Sequence, residues 1–341
     1  MKIALLTPFF SPYNGIDRVV ERQARDLTEL GHAVTIYCFR ARLRTAWANV
    51  VEIGTPHPLI LDRLYRLFFF LNRRTIKRLL QELQGFDRIV CHHYPMTVLG
   101  HLAKKTLGKT YVYYDHGISP AKLFPSIVDK TYQTLVRRWT IKTVRNADEA
   151  ISVSSFLSGI LAAETGLKSL VEYNKIDGSR FKKGISGEAI RTRHGFGQDP
   201  VCLFVGRVSP HKGVHRLIEA FGEVVKTVPE AKLLIAGAET FPRYARKLKR
   251  RARSVGPRAI LFAGFVPDKE LPLYYGAADL YVTASLWEGF DLPMAEAAAC
   301  GKPAVAFDAG AHPEVIREGR LVDTDEEFAV AVVEYLRGGR R

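Results

Sequence analysis

Residues 280–301 read L-Y-V-T-A-S-L-W-E-G-F-D-L-P-M-A-E-A-A-A-C-G, and this stretch decides the fold. Leu280–Ala284 is a short apolar run with β-branched and aromatic members, which reads as a buried strand. Pro293 suits the first turn of a helix, where no N–H is needed. Ala295–Ala299 is rich in strong helix former, and Gly301 stops it. Glu288 therefore falls in a strand-to-helix loop, and Glu296 about one turn inside the helix. The amides of Phe290, Asp291 and Leu292 lie at the helix start, where backbone N–H groups lack intrahelical partners and favour an anion. One element thus offers amides for a phosphate, flanked by two carboxylates that accept sugar hydroxyls. On the residues alone the pair also fits a loop Glu and a helix Glu in an ordinary α/β unit.

Working outward, the same alternation fills the chain. Strands are expected at Ile3–Thr7, Ala33–Phe39, Asp87–Cys91, Thr110–Tyr114 and Ala150–Val153, with an amphipathic helix over Asp17–Leu30. After a polar, Gly-rich and basic stretch at 177–199, strands recur at Val201–Val205, Lys232–Ala236, Ala259–Phe262 and Ala304–Phe307, with a helix over Val214–Lys226. Such alternation gives parallel sheets covered by helices on both faces. At 341 residues the chain suits two domains, read as 1–170 and 171–341. Ligands of open parallel sheets bind at the carboxyl ends of strands, so two such sheets would face each other across a cleft.

Composition narrows the class. No run of 18 uncharged apolar residues exists, so no membrane-spanning helix is expected. Met1–Thr7 reads as a first strand and not as a signal peptide. The four cysteines are scattered without C-x-x-C spacing, which suggests buried thiols in a reducing cytoplasm. The net charge of +15 is uneven: residues 1–170 hold 24 Lys and Arg against 13 Asp and Glu. An excess of cations in one half fits nucleic acid, an anionic membrane surface or an anionic substrate, and it also fits a merely solvated basic surface.

The order W-E-G-F, L-P, A-E-A-A-A-C-G resembles the retaining group-1 (family 4) glycosyltransferases of the two-domain GT-B fold, whose signature is E-G-F-G-L-P-x-x-E-A. The resemblance implies a transferase moving a sugar from a nucleoside-diphosphate sugar to an acceptor hydroxyl. It implies Rossmann-like domains, the first on the acceptor side and the second binding the nucleotide sugar. Asp291 stands where the family usually has Gly, and an acid there would repel a diphosphate unless turned away or hydrogen-bonded. Gly206-Arg207-Val208-Ser209-Pro210-His211-Lys212-Gly213 is similar to the family's G-R-x(4)-K-G element, so Arg207 and Lys212 would contact the donor diphosphate and stabilise its departure. The resemblance further places Glu288 on the donor sugar, Glu296 on the ribose, and the backbone of Val266, in Gly264-Phe265-Val266-Pro267, on the base. Gly15 would let backbone near the donor, although Asn14 replaces the family's other glycine. His116 would contact the transferred sugar, while His92 and His93 fit either the acceptor site or the structure. A His at a strand end is otherwise commonly a satisfied core residue.

The implied chemistry is metal-independent and needs no cofactor, with front-face attack that retains configuration. The D-x-D at Asp323-Thr324-Asp325 reads as a surface turn. Ala236-Gly237-Ala238-Glu239 receives no role. The family usually has further helices after the position of Asp323, which bears on how its two domains are held. Leu61–Leu83 reads as one basic helix centred on Phe68-Phe69-Phe70. With Trp47, Arg40, Arg42, Arg44 and Arg137-Arg138-Trp139 it suggests an anionic membrane surface and a lipid-linked or cell-envelope glycan acceptor, placing the protein on the inner face of the cell membrane. A nucleic-acid-binding protein is the competing reading from charge, but no RNA-binding, zinc or helix-turn-helix pattern supports it. A same-fold epimerase would lack the E-G-F…E element, and a phosphorylase would need a Lys-bound pyridoxal cofactor that has no motif here.

Overall fold

The computed structural model describes residues 1–11, 15–124 and 126–338. They form two compact units, one made of Met1–Lys122 with Ser126–Asn174 and the other of Leu123–Pro125 with Lys175–Arg341. The first reaches past residue 170 because Leu170–Val171 pairs with Glu149–Ser152 as the last strand of its sheet.

That sheet has seven parallel strands, in the spatial order Asn49–Glu52, Ala33–Cys38, Lys2–Leu6, Arg88–Cys91, Thr110–Asp115, Glu149–Ser152, Leu170–Val171. The second has six, in the order Ile260–Gly264, Lys232–Ala236, Val201–Val205, Leu280–Thr283, Ala304–Phe307, Gly319–Val322, also parallel. The order reverses beside Lys2–Leu6 in one sheet and beside Val201–Val205 in the other. Such switch points open a crevice at the carboxyl ends of the flanking strands. In the second sheet those ends lead into the Arg207 loop and the Glu288 loop.

The central strands are legible in sequence because both faces are buried and the apolar run is continuous. Asn49–Glu52, Leu170–Val171 and Gly319–Val322 were not expected. Each is an outer strand with partly exposed residues, so no buried run marks it. Residues 177–199 belong to the second unit. Glu188–His194 is helical, and Phe181, Ile190 and Phe196 are buried in one of that unit's two cores. The other core lies on the opposite face of the sheet, around Phe204, Phe221 and Phe328. The first unit's main core packs helix Met96–Leu107 onto the sheet. It does so through Gly100, where a Cβ would lie 2.4 Å from the Tyr111 ring.

The expected single helix at Leu61–Leu83 is two helices, Leu59–Leu67 and Arg73–Leu83, divided by a 3-10 turn at Phe69–Leu71. Asn72 caps the second by accepting from the Thr75 amide, the role short amide side chains favour over helix interior. The break lets Phe69 turn fully into the core against Phe39, ring centroids 5.2 Å apart. Phe70 packs on Trp139 at 4.4 Å, and Arg40 lies 3.5 Å from the buried Asp62. Phe69 is therefore core, not a membrane-facing residue. Among the described residues no helix is long and apolar enough to cross a membrane. The four cysteines are free and buried, and burial raises the thiols, Cys38 to about 12 and Cys300 to about 11.

Candidate active site

The second unit gathers its charged groups through glycine. After strand Val201–Val205, Gly206 enters the Arg207 loop, and the neighbouring Gly237 presses so close that a Cβ would lie 1.8 Å from the Gly206 carbonyl. The Val208 amide donates to the Ala238 carbonyl. The 236–239 segment, given no role in sequence, thus braces the loop that carries Arg207. Pro210–Lys212 is a 3-10 turn, and Gly213, at φ +60°, turns the chain into helix Val214–Thr227. A Cβ on Gly213 would sit 1.7 Å from the Ala284 carbonyl. This close approach sets Lys212 against the loop that follows Leu280–Thr283, and the Leu286 amide donates to the His211 carbonyl to fix it.

As a result Lys212 Nζ donates to Glu288 Oε1 at 2.5 Å, with both side chains largely shielded from solvent. Arg207 is exposed by surface area, yet protein crowded around its guanidinium holds it below its ordinary value, an effect the Glu288 carboxylate opposes through charge. Glu288 is itself pinned from behind. Its carbonyl accepts from the Ala311 amide, and Gly310, at φ +63°, comes so close that a Cβ would lie 2.2 Å from that carbonyl oxygen. Sequence reading did not single out Gly310.

Asp291 is buried and points away from the loop surface. Its Oδ1 accepts from the Met294 amide at 3.1 Å, capping helix Leu292–Ala299. Its Oδ2 lies 3.2 Å from His312 Nε2, and His312 Nδ1 lies 2.7 Å from the Phe307 carbonyl. Both imidazole nitrogens face acceptors, which calls for a proton on each. Burial disfavours charge on both partners, yet the mutual bond holds His312 above and Asp291 below its ordinary value. The departure at Asp291 is thus matched by a cation, His312, that no motif in the chain marks. The first intrahelical bond runs from the Ala295 amide to the Asp291 carbonyl, so Phe290, Asp291 and Leu292 precede the bonded helix.

Glu296 lies in the same helix, buried, with its Oε2 accepting from the Tyr275 hydroxyl at 2.7 Å. Val266 follows strand Ile260–Gly264 and is buried beside exposed Phe265. The D-x-D is a helix start: Thr324 and Glu327 exchange side-chain to backbone bonds, and Asp325 pairs with Arg216 at 2.8 Å. Among the described residues one cluster, Glu288, Asp291 and His312, places carboxylate and imidazole ligand atoms within 4.8 Å of one another. Lys212 and the His312 protons already neutralise those carboxylates, so a divalent ion would have to displace both partners.

The first unit carries the histidines. Gly15 begins helix Gly15–Glu29, and Asn14 lies outside the described residues. His92 follows strand Arg88–Cys91, and its amide donates to the Leu6 carbonyl. His116 follows Thr110–Asp115. The two rings stack with Tyr114, and His92 Nδ1 lies 2.9 Å from His116 Nε2. His93 is more distant, its ring centroid 6.3 Å from that of His116. Burial lowers His92 to about 3 and holds His116 well below its ordinary value, so both stay neutral. Asp115 accepts from the Gly117 amide and the Tyr113 hydroxyl, and burial raises it to about 6.

Comparison with known proteins matches each half separately. Residues 13–177 match the model for Glycosyltransferase Family 4, and residues 199–338 the model for Glycosyl transferases group 1. The GDP-mannose-dependent α-(1-6)-phosphatidylinositol monomannoside mannosyltransferase of Mycolicibacterium smegmatis is 29% identical over 72% of the chain and 66% of its own length. The lipopolysaccharide core biosynthesis mannosyltransferase LpsB of Rhizobium meliloti is 32% identical over 53% of the chain and 51% of its own length. The chain thus spans between half and two thirds of these two relatives. Anabaena HepE, solved with UDP and glucose, superposes over 100% of the chain and 90% of its own with a TM-score of 0.78 at 22% identity. With both halves matched to one family and both sheets sharing the Rossmann-like plan of a GT-B neighbour, the chain belongs to the group 1, family 4 glycosyltransferases.

Proposed function

We propose that the chain is a retaining hexosyltransferase that moves a sugar from a nucleoside-diphosphate sugar to a hydroxyl of a lipid-linked or cell-envelope glycan. The observation that carries this reading is the convergence of Arg207, Lys212 and Glu288 on two loops at the switch point of the second sheet. In the free protein Lys212 is held by Glu288. A donor pyrophosphate takes that ammonium, which releases the Glu288 carboxylate to accept a hydroxyl of the donor sugar. Arg207, Lys212 and the amides of residues 290–292 then stabilise the charge that develops on the departing diphosphate. Glu296 binds the ribose with its remaining acceptor capacity, and the backbone of Val266 reads the base edge. Gly15 and His116 lie on the first unit, and the family resemblance assigns them to the phosphate and the sugar.

Metal plays no part in this reading, because the cationic side chains occupy the role a divalent ion takes elsewhere. No carboxylate is assigned as a covalent nucleophile. The acceptor attacks the face the leaving group departs from, and the leaving phosphate oxygen takes its proton. The name of the Mycolicibacterium smegmatis relative makes GDP-mannose the first donor to try, and a second HepE structure, solved with UDP-glucose, makes that sugar nucleotide the second.

The acceptor reading draws on an apolar surface of the first unit. Ile60, Leu61, Leu64, Phe68 and Leu71 are exposed, as are Ile127 and Val128 at the start of helix Ile127–Val144. Arg63 joins the two groups by pairing with Asp129 at 2.8 Å, and Arg73, Arg74, Lys77 and Lys130 are exposed nearby in sequence. Apolar side chains ringed by cations suit the surface of an anionic bilayer. Nucleic acid has no place in the reading. Incubation with GDP-mannose or UDP-glucose and a short lipid-linked acceptor, followed by NMR of the new anomeric centre, tests it. Retention is expected, and an inverted product overturns the mechanism.

A further inference from the structure

Gln23 lies on helix Gly15–Glu29, which follows strand Lys2–Leu6 in the chain. Its Oε1 is 2.9 Å from His92 Nε2, and His92 Nδ1 is 2.9 Å from His116 Nε2. An amide oxygen only accepts. His92 must therefore carry its proton on Nε2, which leaves Nδ1 as a lone pair. That lone pair accepts from His116 Nε2–H. A neutral His116 then has an unprotonated Nδ1, and among the described residues no protein group bonds to it. One amide thus sets the tautomer of two rings in series. Stacking against Tyr114 holds both rings in register, at centroid distances of 5.1 Å each.

We propose that Gln23 and His92 are positioning residues that hold His116 as the neutral Nε2–H tautomer, so that its Nδ1 lone pair accepts a hydroxyl of the transferred sugar. The second clause rests on the function proposed above. A neutral acceptor suits the reaction: as the donor C–O bond breaks, the sugar ring gains positive charge, and an imidazolium would repel it. Burial, which keeps both rings neutral, works in the same direction. The groups facing this pair are His93, Tyr114 and Gln23, with Asp115 adjacent in sequence but bonded to Tyr113 and Gly117.

The proposal separates from the proposed function by its readout. In uniformly 15N-labelled full-length protein, two-bond 1H–15N correlation spectra report which nitrogen of each imidazole carries the proton. The expected spectrum has His92 and His116 both as Nε2–H at pH 7. Nδ1–H on His116 overturns the proposal whether or not the chain transfers sugar. Gln23→Leu removes the acceptor and mixes the tautomers, with kcat falling about 10-fold and donor KM nearly unchanged, as expected for an orienting partner. Gln23→Glu keeps the acceptor and adds charge that favours imidazolium, so kcat survives at pH 8 while the acid limb of the pH profile moves up toward neutrality. His92→Phe preserves the stack and loses activity, and His92→Asn restores part of it by offering an oxygen to His116. Unchanged His116 tautomer and unchanged kcat in both Gln23→Leu and His92→Phe contradict the proposal. A correct tautomer in a protein that transfers no sugar contradicts the proposed function instead.

Discussion

At the scale of the residue, Asp291 and His312 make the sharpest test. An acidic side chain in the donor loop would oppose a diphosphate, and the structure answers by turning it inward onto a buried imidazolium. His312 is raised, so its contribution to stability is full below its ordinary value of 6.5 and is lost as pH rises through the folded value. Asp291 is lowered, so its contribution is present above 3.8 and is lost as pH falls through the folded value. The pair therefore stabilises the second unit most between those two ordinary values. Breaking it with His312→Ala should cost about 3–5 kcal/mol. The difference in Tm between the parent and an Asp291→Asn/His312→Gln double variant should narrow above pH 7, and a pH-independent difference would contradict the assignment. Little of this was legible in sequence. Asp291 stood out because it broke a motif, but its partner lies 21 residues on, past another strand. Parallel topology joins residues that no local spacing connects, and the same holds for Tyr275 with Glu296.

At the scale of the element, the loops after the two switch-point strands are set by glycines. Gly213→Ala must clear the Ala284 carbonyl and hold a left-handed backbone, which costs about 1–2 kcal/mol before the clash is counted. We expect a lower Tm together with weaker nucleotide binding, because the change pushes Lys212 from Glu288. Gly159 is the control: it is helical with nothing within 4 Å of a Cβ, so Gly159→Ala should leave binding intact and stabilise by up to about 1 kcal/mol. Equal effects of the two changes, read by thermal unfolding and nucleotide titration, would argue against the loop account. Strands and helices with a continuous apolar run or a capped amphipathic face were readable in sequence. The Leu61–Leu83 stretch was not, because a helical pattern of Leu and Arg continues through the Phe69–Leu71 turn, and only the demand of the core for Phe69 breaks it.

At the scale of the whole molecule, charge and apolar exposure concentrate in the first half, and the proposed membrane surface keeps only part of the stretch first singled out, Leu61, Leu64, Phe68 and Leu71, and adds Ile127 and Val128. Phe69 and Phe70 are taken up by packing, whereas Ile60, Leu64, Leu71, Ile127 and Val128 are exposed. Vesicles of anionic lipid should sediment with the protein at low salt and release it at high salt, since each cation near such a surface contributes about 1 kcal/mol. Leu64→Asp with Ile127→Asp should weaken binding at least about 10-fold with the fold intact. Absence of binding at low salt removes the membrane from the account. Most narrowly, we propose that Arg207 and Lys212 of the second unit hold a sugar nucleotide's diphosphate without a divalent ion. Calorimetric titration of GDP-mannose and UDP-glucose in excess EDTA, on the parent, Arg207→Ala and Lys212→Ala, measures it most directly. One donor should bind the parent in EDTA as tightly as in Mg2+, and each variant should lose about 10- to 100-fold in Kd. Binding that requires Mg2+, or that neither substitution weakens, would contradict it.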